Sequence, residues 1–135
     1  MSRERRPILV IDDDPDVIAI VRRVLGHAGW IVIGTTDPRD GLRMAIDQTP
    51  CLLLIDLMMP HMDGEELLLE LRRSMGERMP PVALISAAYS RTEVARRADV
   101  DATLPKPFEI TDLRDLAARF APDDRDRPSS TPPRG

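Results

Sequence analysis

The 135-residue chain contains one cysteine and two histidines. A single Cys51 excludes an internal disulfide framework and any thiolate-rich zinc site. His27 and His61 are too few and too far apart for a helical zinc motif. No apolar run approaches the ~18 residues of a membrane span. The apolar stretch behind the basic N-terminus, Ile8 to Ile11, is too short for a signal peptide. A basic excess is also missing. Nineteen Lys and Arg against 23 Asp and Glu give a net charge of −4, which argues against non-specific nucleic-acid binding. Neither a P-loop nor a G-x-G-x-x-G string occurs, so classical nucleotide binding is not expected. Lysine is scarcest relative to its class. Eighteen of the 19 basic residues are Arg, so the lone Lys106 marks a place where Arg does not substitute. A cytoplasmic protein is the expectation.

What is present is enough for one domain with a substantial core. The length lies near the modal domain size, and 42% of the residues are apolar, which fits a folded globular chain. Short apolar runs alternate with helix-patterned stretches. Ile8 to Ile11, Ile31 to Ile33, Cys51 to Ile55 and Val82 to Ile85 read as strands buried on both faces, as in a parallel sheet. Ala102-Thr103-Leu104 is more polar, as an edge strand would be. Asp14-Pro15 and Asp37-Pro38 each read as an N-cap followed by Pro at the first helical position. The first helix carries Val17, Val21, Val24 and Leu25 on one stripe, and Gly29 can end it. The second runs from Pro38 to about Gln48 with Leu42, Ala45 and Ile46. The third runs from about Gly64 to Ser74 with Leu67, Leu68 and Leu71 inward. A fourth, near Arg91 to Ala98, is short and weakly apolar. In the fifth, Leu113, Leu116, Ala117 and Phe120 fall at i, i+3, i+4 and i+7. The sum is a (βα)5 alternation, which predicts a doubly wound α/β domain over residues 1–120. Residues 121–135 are rich in Pro, Ser, Asp and Arg and read as a disordered tail or the start of a linker.

Ligands of open α/β sheets bind beyond the carboxyl ends of the strands. Asp12, Asp13 and Asp14 follow the first strand, Asp56 ends the third, Ser86 follows the fourth and Lys106 follows the fifth. Asp14 reads as a helix cap. Asp12, Asp13 and Asp56 could each singly be a turn residue. Together, clustered carboxylates repel one another unless a cation sits among them. Few ligands, all oxygen, suit Mg²⁺. Asp56 is then a candidate nucleophile for a phosphoryl group, giving an acyl phosphate. Lys106 and Ser86 can neutralise and bind the transferred oxygens.

The strings Ile11-Asp12-Asp13-Asp14-Pro15, Asp56-Leu57-Met58-Met59-Pro60 with Met62-Asp63-Gly64, Ser86-Ala87-Ala88 and Leu104-Pro105-Lys106-Pro107-Phe108 resemble the receiver domain of bacterial two-component response regulators. The resemblance covers roughly residues 7 to 120. It implies a flavodoxin-like strand order, 2-1-3-4-5. It implies that Asp56 accepts a phosphoryl group from the phosphohistidine of a sensor histidine kinase or histidine phosphotransfer protein. It implies that Asp12 or Asp13, with Asp56 and the backbone carbonyl of Met58, hold Mg²⁺, Asp13 being the more direct ligand. Lys106 would pair with a phosphoryl oxygen, Ser86 would carry the switch, and Lys106-Pro107 would be cis. The implied partners are the kinase and an output protein bound directly, with neither nucleic acid nor membrane. The last two helices form a face through which family members often dimerise.

The chain departs from the family pattern at Thr103, where an aromatic usually stands, and at Asp99, where Gly is common. The Ser86-to-Lys106 interval is about two residues shorter than usual, which implies a shortened or irregular fourth helix. Met58 and Ala88 cannot hydrogen-bond an attacking water, so slow autodephosphorylation is expected. An aspartyl phosphatase would need an acid at Met58, and none is there. A pseudo-receiver would usually lack the acid pair, the acceptor or the lysine, and all are present. The chain is expected to be a free-standing switch, the alternative being a receiver excised from a larger regulator. Cys51 and Trp30 read as packing residues, His61 as a surface loop residue and His27 as a helix C-terminal residue.

Overall fold

Apolar runs of four or five residues form strands here because helices cover both of their faces. The computed structural model describes residues 6–59, 62, 64–86 and 99–121. The fourth helix expected near Arg91 to Ala98 lies outside the described residues. So do Pro60, His61, Asp63, Ala88, Tyr89 and the stretch from residue 122 onward. Five parallel strands, β1 (Ile8–Ile11), β2 (Val32–Thr35), β3 (Leu52–Asp56), β4 (Val82–Ser86) and β5 (Ala102–Pro105), form one sheet in the order β2-β1-β3-β4-β5. The helices described are α1 (Pro15–His27), α2 (Pro38–Gln48), α3 (Gly64–Met75) and α4 (Ile110–Phe120), with a 3₁₀ turn at Gly76–Arg78. This is the doubly wound α/β fold expected from the alternation. No described helix is long and apolar enough to cross a membrane.

The three central strands are buried throughout, while the edge strands β2 and β5 are largely half-buried. Alternate residues feed two cores. Ile8, Val10, Leu52, Leu54 and Ile85 pack under α1 and α4, with Val17, Val21, Leu25, Leu113 and Leu116 opposite them. Leu9, Ile11, Leu53, Ile55 and Leu84 pack on the other face, against Ala45 of α2 and Leu67, Leu68 and Leu71 of α3. Asp14 and Asp37 cap α1 and α2 in extended conformation, each accepting the N–H two residues on at 2.9 Å. Trp30 is buried, and its indole N–H donates to the carbonyl of Ala121 at 2.6 Å, tying the end of α4 to the α1–β2 corner.

Several boundaries differ from the sequence reading by a residue or two. The second strand starts at Val32, not Ile31, and runs on to Thr35, because its pairing with β1 continues through Val10↔Gly34 and Ile11↔Thr35. Cys51 stands just ahead of β3 and is half-buried, with its thiol against the carbonyl of Arg6 at 3.2 Å. On α1, Ile18 is buried and Val24 only partly so.

One glycine ties the fold to the site. A Cβ on Gly64, the first residue of α3, would lie 2.7 Å from the backbone oxygen of Asp56 and 2.8 Å from Leu57 Cα. Its N–H also donates to the Leu57 carbonyl at 2.8 Å. Only a residue without a side chain lets α3 begin this close to the end of β3. Gly26, inside α1, meets nothing within 4 Å of the corresponding Cβ. Gly64→Ala is therefore expected to lower unfolding stability by about 1–3 kcal/mol, and Gly26→Ala to raise it by about 0.5–1 kcal/mol through helix propensity. Urea unfolding of the two variants checks this; equal effects at both positions would contradict the packing account.

Candidate functional site

Sheet register alone brings the acidic residues together. Ile11 pairs with Ile55 across β1 and β3, so the next residue of each strand, Asp12 and Asp56, emerges at the same edge. Asp56 in turn pairs with Ile85, and Ser86 with Pro105. Lys106 is one step beyond, and its backbone N–H donates to the Ser86 carbonyl at 2.9 Å. The Lys106-Pro107 bond is cis. Four neighbouring strand ends, those of β1, β3, β4 and β5, thus carry the acids, the serine and the lysine.

Lys106 Nζ lies 3.2 Å from Asp12 Oδ2, 3.5 Å from Asp12 Oδ1 and 3.6 Å from Asp56 Oδ2. Asp12 is fully buried, Asp56 is 3% exposed and Asp13 is exposed. Backbone amides supply the other contacts: Asp14 N–H donates to Asp12 Oδ1 at 2.9 Å, and Met58 N–H donates to Asp56 Oδ1 at 3.2 Å. Asp14 thus contributes its backbone to the site while its side chain caps α1, a double role the sequence did not disclose. Ser86 is buried at the end of β4. Met58, between the buried Leu57 and Met59, is 69% exposed.

One oxygen each from Asp12, Asp13 and Asp56 lies within 4.8 Å of the others. Asp12 Oδ2 is buried and accepts no hydrogen bond; among the described residues no other buried side-chain oxygen or nitrogen is left so. Its contact with Lys106 is one of charge, the ammonium's hydrogen bond going to Oδ1. An uncompensated buried carboxylate oxygen costs on the order of kcal/mol. A hard oxygen cluster with one orphaned member fits a small divalent cation.

The same crowding shifts protonation. Burial pushes the Asp56 carboxyl up to about 7, helped by the Asp13 carboxylate and the charge of Asp12, and opposed by Lys106 and the Met58 amide. Burial likewise raises Asp12, against the pull of the Asp14 amide and Lys106. Burial lowers the Lys106 ammonium, but the surrounding acids, led by Asp12, outweigh it and leave the group above its usual value.

A carboxyl raised in the folded state holds a proton that the unfolded chain has released. The stability it supplies is therefore complete below about pH 4 and is lost as pH rises through about 7. In chelator at pH 8, Asp56→Asn is expected to raise stability by about 1–3 kcal/mol, and to give no such gain at pH 4. Thermal melts at the two pH values check this; a destabilised variant at pH 8 would contradict the repulsion.

The family model of the response regulator receiver domain matches residues 8–118. The response regulator MprA of Mycolicibacterium vanbaalenii is 36% identical over 122 residues, covering 87% of this chain and 52% of that protein. The chain thus spans about half the length of the MprA relatives it matches. Among solved structures, the chemotaxis protein CheY4 of Vibrio cholerae superposes with a TM-score of 0.79 at 23% identity, over 87% of this chain and 99% of that one. The receiver domain of the sensor histidine kinase PA1611 from Pseudomonas aeruginosa, solved with a magnesium ion in its active-site cleft, gives 0.76 at 24% identity, over 87% and 98%. These two likenesses bear on the fold, which the strand order already showed. The family match spans both cores and all four strand ends that carry the acids, the serine and the lysine: the chain belongs to the response regulator receiver family.

Proposed function

We propose that this chain is a phosphorylation-driven switch of two-component signalling, with Asp56 as the phosphoacceptor. The observation that carries the reading is the seat of Asp56. It is a buried carboxylate at a strand end, beside two further acids and the chain's only lysine. An oxygen of Asp56 attacks the phosphorus of a kinase or phosphotransfer-protein phosphohistidine. The P–N bond breaks, the imidazole leaves with its electron pair, and an acyl phosphate remains. Lys106, 3.6 Å from Asp56 Oδ2, is placed to pair with the transferred oxygens. Ser86 is the hydroxyl that binds another of them and carries the change outward.

Asp12, Asp13, Asp56 and the Met58 carbonyl would hold Mg²⁺. The ion's chemistry there is charge neutralisation on the phosphoryl oxygens. The protein's own part is to hold the acceptor still through the Met58 amide and to keep Lys106 charged. Thr103 is half-buried on β5 in place of the family's usual aromatic, so the aromatic half of the family's usual switch is missing and Ser86 is the residue left to carry the change. A groove of about 380 Å³ between β5 and α4, lined by Thr103, Pro105, Asp112, Asp115, Leu116 and Arg119, is the face on which an output protein or a second copy would dock.

Intact-mass spectrometry with a small phosphodonor such as phosphoramidate tests this. The expected result is a Mg²⁺-dependent gain of one phosphoryl group that Asp56→Ala abolishes. No gain, with Mg²⁺ binding shown separately, would leave a pseudo-receiver. The phosphorylated form is expected to persist for minutes or longer, because the Met58 thioether is too weak an acceptor to orient water. A lifetime of seconds would contradict that.

A further inference from the structure

We propose that Met58 is an oxidation site, and that its sulfoxide shortens the lifetime of phosphorylated Asp56. The inference deepens the phosphoacceptor reading and rests on it.

Exposure singles out Met58. Of the described methionines, Met59 and Met75 are 7% and 3% exposed, and Met44, Met62 and Met79 are partly buried against the core. Met58 is 69% exposed and packs in neither core. Peroxide reaches thioether sulfur in proportion to exposure. The position matters as much as the exposure. The Met58 N–H holds Asp56 Oδ1 at 3.2 Å, so the side chain springs from the segment that fixes the acceptor.

The chemistry balances simply. The thioether sulfur attacks one oxygen of a peroxide, the O–O bond breaks, and sulfur is oxidised by two electrons while the peroxide is reduced to water. The product carries a strongly polar S–O oxygen in place of a weak acceptor. That oxygen can accept a hydrogen bond from the water that attacks phosphorus in line. The P–O bond to Asp56 then breaks, and aspartate and inorganic phosphate result. Peroxide stress would thus clear the phosphorylated state without a phosphatase, and methionine sulfoxide reductase would restore its persistence.

Two measurements on the full chain test this. Peptide mapping after mild hydrogen peroxide is expected to show Met58 oxidised several-fold faster than Met44, Met59, Met62, Met75 or Met79; comparable rates would overturn the site. The lifetime of phosphorylated Asp56, followed by intact mass, is expected to fall several-fold on oxidation and to recover after the reductase. In Met58→Leu the same treatment should leave the lifetime unchanged, and Met58→Gln, a polar mimic, should be short-lived untreated. An oxidised protein as long-lived as the reduced one, or a Met58→Leu protein that still responds, would overturn the regulation. Failure of the reduced protein to take up phosphate at all would instead strike the phosphoacceptor reading, and the peptide map would still decide whether Met58 is the oxidised residue.

Discussion

The site is organised by a charge imbalance that parallel strand register creates. Asp12 and Asp56 leave the sheet side by side because Ile11 faces Ile55, and Asp13 adds a third carboxylate. Lys106 supplies the chain's only lysine ammonium. One cation against three acids leaves the Asp12 Oδ2 oxygen buried and without a hydrogen bond, and burial, with the Asp13 and Asp12 carboxylates adding to it, pushes Asp56 up to about 7. Buried charge of this kind is retained where something else completes it. The remaining features follow from holding it in place: the amides of Asp14 and Met58 on the two buried acids, and the Ser86 carbonyl on the Lys106 backbone.

The supporting frame is apolar and rigid on both sides. Eight residues of β1 and β3, Ile8 to Ile11 and Leu52 to Ile55, are at most 1% exposed, so neither strand can shift without exposing a core. At β3's end, α3 begins against the backbone of Asp56 itself, through Gly64. Asp56 is thereby gripped by the sheet, by the helix start and by the Met58 amide. The exposed Met58 is the point where that tight segment meets solvent. Burial of both strands leaves little room for backbone rearrangement at β3.

Much of this was legible in the sequence. Uninterrupted apolar runs identified the buried strands, Asp-Pro pairs located the starts of α1 and α2, and the rarity of lysine pointed to Lys106. The acid, serine and lysine positions could be placed at one sheet edge from the strand–helix alternation, since each follows the carboxyl end of a strand. What stayed hidden depends on contacts between residues far apart. Nothing local reveals that the Trp30 indole bonds Ala121, or that Arg72 reaches the carbonyl of Asp99 at 2.7 Å. The departure at Asp99 was visible, but its meaning was not: φ is 58° there, a region where glycine is favoured. The resemblance distinguished Asp13 as the more direct ligand, but the burial that separates the two acids, Asp12 fully buried and Asp13 exposed, depends on the folded strand end.

The central claim is chemical: that the Asp56 carboxylate becomes an acyl phosphate. Borohydride reduces an acyl phosphate to an alcohol and leaves a free carboxylate untouched. The most direct measurement is therefore to phosphorylate the chain from a phosphohistidine donor in Mg²⁺, reduce it, and sequence the peptide that spans β3. Conversion of Asp56 to homoserine is the expected result. Phosphate found on Ser86 or elsewhere, with Asp56 recovered as aspartate, would contradict it.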